Sequence, residues 1–250
     1  MTGKQRGTGR GNKLGTLIAG SMLLAGCHGG NRASPVTIAN PRLGPMTIAV
    51  APAINVSGSV DFDRNRFADL MASELGYAEG ISVIPVSRVL GVLAEQGLDG
   101  VQSPSHALEL VSLLGGDAIL VFAVTEYDPY DPPSIGIAAQ LYGTRPRERG
   151  RILDPIALSR QTRLAGASPG PLARRLLAQT ETVFDADHEA VAAEVREFAA
   201  RRGADDSPYG WRKYVVSQQH YIRFCCFATI RDLLHSDPGF EVAASRKNNG

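Results

Sequence analysis

Residues 114–125, LGGDAILVFAVT, contain the strongest predicted β-strand of the chain. An apolar run of this length bounded by turn residues is typical of a buried strand. The two glycines, Gly115 and Gly116, end the helix predicted before the run and lead directly into it. A buried strand that follows a helix indicates a fold in which the two kinds of element alternate.

The same alternation continues on the N-terminal side of this segment. Apolar runs at 46–52 and 81–86 predict two further strands. In the helices between them, apolar residues recur at three- and four-residue intervals, and Ser87 is predicted to cap the second helix. The predicted buried faces consist of Phe67, Leu70, Met71 and Leu75, then Val89, Leu90 and Leu93, and then Leu108, Val111 and Leu114. At least part of the sheet is therefore expected to be parallel.

On the C-terminal side, the composition changes abruptly after Tyr127. Prolines in Asp128-Pro129-Tyr130-Asp131-Pro132-Pro133 exclude a helix and a central strand, which predicts a rigid connection. Strands are predicted at 135–142, 156–164 and 176–184, a helix at 188–202, and a last helical unit at 209–235 with an internal cap at Ser217. The prediction is an α/β fold with a single mixed sheet flanked by helices and a C-terminal helical unit.

The N-terminus has the features of a targeting signal. A basic leader without acidic residues contains Lys4, Arg6, Arg10 and Lys13. About a dozen apolar or small residues follow at 14–25, and at 1.5 Å each they cannot cross a hydrocarbon core of ~30 Å. This stretch is therefore predicted to be the apolar part of a signal sequence. Its end, Leu24-Ala25-Gly26-Cys27, resembles the lipobox of bacterial lipoproteins. The resemblance implies a diacylglycerol on the Cys27 thiol, cleavage before Cys27, and palmitate among the acyl chains of the anchor.

The resemblance to a lipobox also implies a location. In such lipoproteins an aspartate after the cysteine favours the inner membrane, so His28 predicts the outer membrane, with the protein facing the periplasm. The predicted organisation is a signal peptide at 1–26, a flexible tether at 27–45, an α/β domain at 46–186, a C-terminal helical unit at 187–238 and a flexible tail at 239–250.

Several patterns between residues 46 and 143 carry a second resemblance. Val83-Ile84-Pro85-Val86-Ser87-Arg88 leads into a helix, and 114–120 runs into a strand that ends Thr125-Glu126-Tyr127. These patterns resemble the α/β domain of bacterial envelope lipoproteins, which include the curli-secretion lipoprotein and the outer-membrane lipoproteins that activate penicillin-binding proteins. Residues 183–187 and 209–224 resemble the C-terminal part of uncharacterised lipoproteins built on that domain. Because these relatives differ in function, the resemblance implies an envelope protein but does not indicate which activity it has.

Charge and cysteine content exclude some classes of partner and site. The 26 basic and 25 acidic residues give a formal net charge of +1, and no basic stripe indicates a nucleic-acid partner. Cys225 and Cys226 are adjacent, and a bond between them would strain the backbone. They are predicted to be buried apolar residues on a helix, with an intermolecular bridge or a redox site as the alternative.

The residues that could be catalytic or bind a metal also have structural explanations. Asp185, Asp187, His188 and Glu189 form the densest set of potential metal ligands, but acidic residues at this place also suit the start of a helix. His106 and His220 are single histidines on predicted helices, and structural roles are expected for both. No hydrolase or zinc motif occurs. We therefore predict no enzymatic activity, no metal and no cofactor, with a metal-dependent hydrolase around Asp185, Asp187 and His188 as an alternative.

Aromatic residues supply the candidate partner contacts. Trp211, Tyr214, Tyr221 and Phe224 have spacings that suit packing of the last helices on the sheet, or an exposed contact patch. The proline segment offers Tyr127 and Tyr130. Tyr127, Tyr130 and Trp211 are the predicted partner-binding residues. The predicted function is a lipid-anchored binding or accessory protein of the envelope, with an oligomeric secretion or transport component as a further alternative.

Overall fold

The computed structural model describes residues 37–144, 175–204 and 207–236. Every described residue belongs to the second of the two units of the chain, Ala33–Gly250. The predicted lipidation site Cys27, the predicted strand at 156–164 and the predicted tail lie outside the described residues.

A six-stranded mixed sheet forms the centre of the second unit. Its strands are β1 (Met46–Val50), β2 (Ile54–Asn55), β3 (Ile81–Ile84), β4 (Ala118–Asp128), β5 (Ser134–Gly143) and β6 (Leu176–Asp185). The order is β3-β1-β4-β5-β6, and the short β2 also pairs with β4. Strands β1 to β4 pair in parallel, whereas β5 is antiparallel to both β4 and β6. The predicted α/β class with a single mixed sheet is confirmed.

Six α-helices flank this sheet in the described part of the chain. They are α1 (Arg64–Leu75), α2 (Val86–Glu95), α3 (Pro104–Leu114), α4 (Glu189–Arg201), α5 (Lys213–Val216) and α6 (Gln218–His235), with a 3₁₀ turn at Gly210–Arg212. The predicted helical faces are largely confirmed, since Phe67, Val89 and Val111 are among the fully buried residues.

The start of α1 shows how local sequence fixes a helix boundary. The Asp63 carboxylate accepts hydrogen bonds from the backbone N–H groups of Asn65 and Arg66. Phe62, just before this cap, packs on Phe67 with 5.2 Å between ring centroids. A side-chain cap combined with an apolar contact across it sets the angle at which the chain enters a helix.

The predicted cap of α2 is wrong. The helix begins at Val86, directly after Pro85, and no side chain caps it, so Ser87 lies inside the first turn. Pro85 already has a φ of −55° and ends the strand without a polar cap. Ser217 does stand at the predicted helix boundary, before α6, but its hydroxyl is hydrogen-bonded to Nδ1 of His220 at 2.9 Å and not to the backbone.

The junction of α3 and β4 explains the two glycines. Gly115 ends α3 at a φ of +70°, a backbone conformation that residues other than glycine rarely adopt. At Gly116 a Cβ would lie 3.0 Å from side-chain atoms of both Ile84 and Val111. Glycine is therefore required first for the turn and then for the close approach of helix and sheet.

Two apolar cores lie on opposite faces of the sheet. Phe67 of α1, Phe198 of α4 and Phe224 of α6 belong to the larger core, together with alternate residues of β4. The smaller core joins α2 and α3 to the other face and includes Leu93 and Leu110. The helices after β6 thus share one core with the α/β elements.

Glu74 joins three helices inside the larger core. Its side chain on α1 is fully buried, and its carboxylate accepts hydrogen bonds from Arg202 after α4 and, at 3.0 Å, from Arg223 on α6. The Arg202 guanidinium also lies 4.6 Å from the ring centroid of Phe198. A buried carboxylate that is paired in this way holds the C-terminal helices to α1.

The long helix α6 confirms the prediction for the cysteines. Cys225 and Cys226 are both fully buried. Burial raises the pKa of each thiol well above its ordinary value, which disfavours the reactive thiolate. No helix of the described residues is long and apolar enough to span a membrane.

Candidate functional site

The carboxyl ends of three strands bring the candidate contact residues to one edge of the sheet. Because β2, β4 and β6 run in the same direction, the segments that follow them emerge on the same side. Open α/β sheets usually bind their ligands at this edge. We call the side chains of Val56, Val60, Tyr127 and Tyr130 the carboxyl-edge surface.

The loop between β2 and α1 is held in place by its own polar groups. The Asn55 amide donates to the carbonyl of Ser59 at 2.8 Å, and the Ser57 hydroxyl donates to Oδ1 of Asn55 at 2.8 Å. Val56 N–H donates to the carbonyl of Val124 at 2.9 Å, which ties the loop to β4. The loop is therefore ordered, yet its two valines point to solvent: Val56 is 62% exposed and Val60 is 95% exposed.

Tyr130 lies at the tip of the hairpin that joins β4 to β5. Its N–H donates to Asp128 Oδ1 at 3.1 Å, while its side chain is 75% exposed. The N–H of Ala186 donates to the carbonyl of Pro133 at 3.0 Å, which fixes the hairpin tip to the segment after β6. The prolines and these hydrogen bonds thus hold an exposed aromatic ring on a defined backbone.

Tyr127 belongs to strand β4 and not to the connection. Its half-buried ring packs against Phe62, with 5.4 Å between centroids, and its hydroxyl accepts a hydrogen bond from Gln218 at the start of α6. Burial raises the pKa of the Tyr127 hydroxyl above its ordinary value. Tyr127 therefore anchors the carboxyl-edge surface to the larger core.

Trp211 lies in a different environment from the two tyrosines. It stands in the 3₁₀ turn before α5, half-buried against the larger core, with the Arg196 guanidinium 4.7 Å from its ring centroid. Its predicted companions are core residues: Phe224 is 1% exposed, and Tyr221 is fully buried with its hydroxyl donating to the carbonyl of Phe184 at 3.0 Å. This arrangement matches the packing role that the aromatic spacing predicts.

The acidic cluster after β6 forms a turn before a helix. Asp185 Oδ1 accepts a hydrogen bond from the N–H of Asp187 at 2.9 Å, and His188 precedes α4, with Glu189 in the first turn. Carboxylates at such a place satisfy free N–H groups and oppose the helix dipole. Within the described residues, no group of three or more His, Cys, Asp or Glu side chains is arranged to hold a metal ion.

A groove crosses the sheet face that α2 and α3 leave partly open. It has a volume of about 510 Å³, and its lining includes the small residues Ala123 and Ala138 beside the polar Gln140 and Glu181. A smaller groove of about 210 Å³ continues toward the start of α3. The described lining of these grooves does not include Asp185 or His188, so they do not bring the acidic cluster together with polar groups of other strands.

The sequence pattern did not identify the two exposed valines as contact residues. Val56 and Val60 lie among turn-forming residues, outside any helical or strand periodicity. Branched apolar residues without such a period are a usable signal for an exposed contact, since no regular element buries them.

No protein-family profile and no curated protein sequence match the chain. Among solved structures, it is similar to lipoprotein GNA1162 of Neisseria meningitidis, with 17% identity and a TM-score of 0.41 over 65% of this chain and 99% of that one. It is similar to the LpoB C-terminal domain of Salmonella enterica, with 11% identity and a TM-score of 0.39 over 59% and 87% of the two chains. The hypothetical protein CT253 of Chlamydia trachomatis matches with 13% identity and a TM-score of 0.38 over 78% and 100%. The structural neighbours thus include bacterial lipoproteins, at a distant level of similarity.

Proposed function

We propose that this chain is a lipid-anchored accessory protein of the bacterial cell envelope, faces the periplasm from the outer membrane, and binds another envelope protein without catalysing a reaction. The anchor is the lipid on Cys27, and the contact is made by the carboxyl-edge surface. Three features of the sequence support the anchor: the basic leader, the apolar stretch that follows it, and Leu24-Ala25-Gly26-Cys27.

One observation carries the binding proposal. An ordered loop and an ordered hairpin tip present Val56, Val60 and Tyr130 to solvent, with exposures of 62%, 95% and 75%. Holding apolar side chains in water on a fixed backbone gives the domain no burial energy, but it lowers the entropy cost of binding a partner. Tyrosine is also among the side chains that contribute most to protein contacts.

Photocrosslinking in intact envelopes tests the contact. A photoreactive phenylalanine analogue replaces Tyr130 or Val60 in the full-length protein. Tyr209 is the matched control because it is a tyrosine of nearly the same exposure as Tyr130, 76% against 75%, and lies before the 3₁₀ turn. The proposal predicts one discrete protein adduct from positions 130 and 60 and none from 209. Equal adducts at all three positions, or none at 130 and 60, would contradict it.

The anchor has its own test. Cys27→Ser removes the thiol that the lipid requires, so acyl labelling is expected to disappear and the protein to leave the membrane fraction or remain unprocessed. Stable attachment takes more than one acyl chain, since a single chain binds a bilayer only marginally. Labelling that persists in the Cys27→Ser protein would refute the lipoprotein assignment without affecting the crosslinking result.

A further inference from the structure

Acidic side chains surround the carboxyl-edge surface. They come from the loop before α1, the end of β4, the hairpin tip and the end of β6: Asp61, Asp63, Glu126, Asp128, Asp131, Asp185 and Asp187. All except Asp185 are exposed. The apolar centre and the charged surroundings are thus built by the same loops.

Some of these carboxylates accept hydrogen bonds from nearby backbone N–H groups or, at Glu126, from the Ser134 hydroxyl, and these bonds are not ion pairs. Within the described residues, no Lys, Arg or His forms an ion pair with any of them. Of the cations in this region, Arg64 pairs with Asp99 at 2.9 Å, whereas Arg66 donates to the neutral amide of Gln219 at 3.0 Å and lies near the Tyr127 hydroxyl. The formal net charge of the chain is only +1, so this surface is a local excess of negative charge.

We propose that the carboxyl-edge surface binds a protein segment in which apolar side chains are flanked by lysine or arginine, a specification that rests on the proposed function. Val56, Val60 and Tyr130 make the apolar contact. The surrounding carboxylates attract the lysine or arginine side chains of the partner and fix the position at which the segment binds. Opposite charge around an apolar centre chiefly accelerates association and excludes wrong partners. An anionic lipid headgroup surface is disfavoured as the occupant because it would be repelled.

A charge-reversal pair tests this specification. Asp61→Lys and Asp131→Lys are combined in the full-length protein that carries the photoreactive analogue at position 130, and no hydrogen bond to either carboxylate is seen among the described residues. The matched control combines Glu95→Lys and Glu109→Lys, which changes the net charge equally on exposed positions of α2 and α3. Thermal melting of both proteins checks that the fold is retained.

The expected result is a fall in adduct yield of roughly tenfold or more in the Asp61→Lys/Asp131→Lys protein, with a normal yield in the control. High salt should reduce the yield in the unaltered protein, because exposed charges are screened. Mass spectrometry of the adduct should locate the crosslink in a partner segment with lysine or arginine on both sides of apolar residues.

Other outcomes separate the two proposals. An adduct whose yield is unaffected by the charge reversal, or whose partner segment lacks basic residues, would overturn the basic-segment inference and leave the proposed function standing. Adducts only with a second copy of this chain, or only with lipid, would also overturn it. If no adduct forms at position 130 even in the unaltered background, both proposals fail.

Discussion

Tyr130 and Trp211 are both aromatic residues that the sequence predicts as partner contacts, but their surroundings differ. Tyr130 is 75% exposed on a hairpin tip, where its N–H donates to the Asp128 carboxylate two residues before it. Trp211 is half-buried between the larger core and the Arg196 guanidinium, in a segment that also contains Arg212 and Lys213. Residue type alone therefore does not identify a partner contact, because an aromatic side chain can pack in the core at one position and be exposed to solvent at another.

The two regions also differ in what their loss would do to the fold. The C-terminal helices share the larger core with the sheet, so their side chains contribute to the free energy of unfolding. The hairpin tip contributes little apolar burial, so its side chain is free to serve binding. Substitutions in the two regions are therefore expected to differ in their effects on stability and on binding.

Phe224→Ala is expected to have the largest effect. Phe224 is 1% exposed and its ring lies 5.7 Å from the ring centroids of both Phe184 and Phe198. Removing a large aromatic side chain from a core costs roughly 3 to 5 kcal/mol, a large share of the 5 to 15 kcal/mol of a typical domain. Chemical denaturation measures the loss. A change below about 1 kcal/mol would show that the helices do not share one core with the sheet.

Glu74→Ala comes next. It leaves Arg202 and Arg223 without their buried carboxylate, and we expect a loss of about 3 kcal/mol, since the arginines retain some contact with water. The matched control is Glu197→Ala, whose exposed ion pair with Arg201 is worth about 0 to 1 kcal/mol. Equal losses in the two variants would contradict the role of Glu74 in joining the helices.

Trp211→Ala is expected to cost less, roughly 1 to 2 kcal/mol, because the ring is only half-buried and one of its contacts is a cation–π contact with Arg196. Thermal melting and capture of the envelope partner are measured on the same preparation. We expect a lower melting temperature with capture of the partner retained. A protein of normal stability that has lost its partner would move the interface to the C-terminal helices.

Periodicity predicted most of the fold because burial imposes it. The strand at 118–124 and the helical faces with Phe67 and Val111 follow from apolar spacing alone, and the structure has them. Ser87 failed as a cap because the backbone of Pro85 leads straight into α2, a geometric effect that outweighs the preference for a polar cap. The buried Glu74 could not be predicted, since its partners lie far along the chain at Arg202 and Arg223.

The site was less accessible to sequence reasoning than the fold. The proline segment was predicted from its composition. Val56 and Val60 can be identified as contact residues only from the structure, because the parallel strands bring their loop to the edge of the sheet that also carries Tyr130. Tyr127 is the last residue of the strand predicted before the proline segment, and β4 extends one residue further, to Asp128, with the Tyr127 ring against Phe62. Convergence of distant loops depends on strand order, which local patterns do not encode.

The most direct test of the account is Tyr130→Ala, measured for stability and for partner capture in parallel. We predict a free energy of unfolding within about 0.5 kcal/mol of the unaltered protein, since an exposed side chain contributes little to folding. Capture of the envelope partner should fall roughly tenfold or more, as expected for an aromatic contact residue. Unfolding of the Tyr130→Ala protein, or full capture by a stable one, would contradict the claim that the carboxyl-edge surface exists for binding.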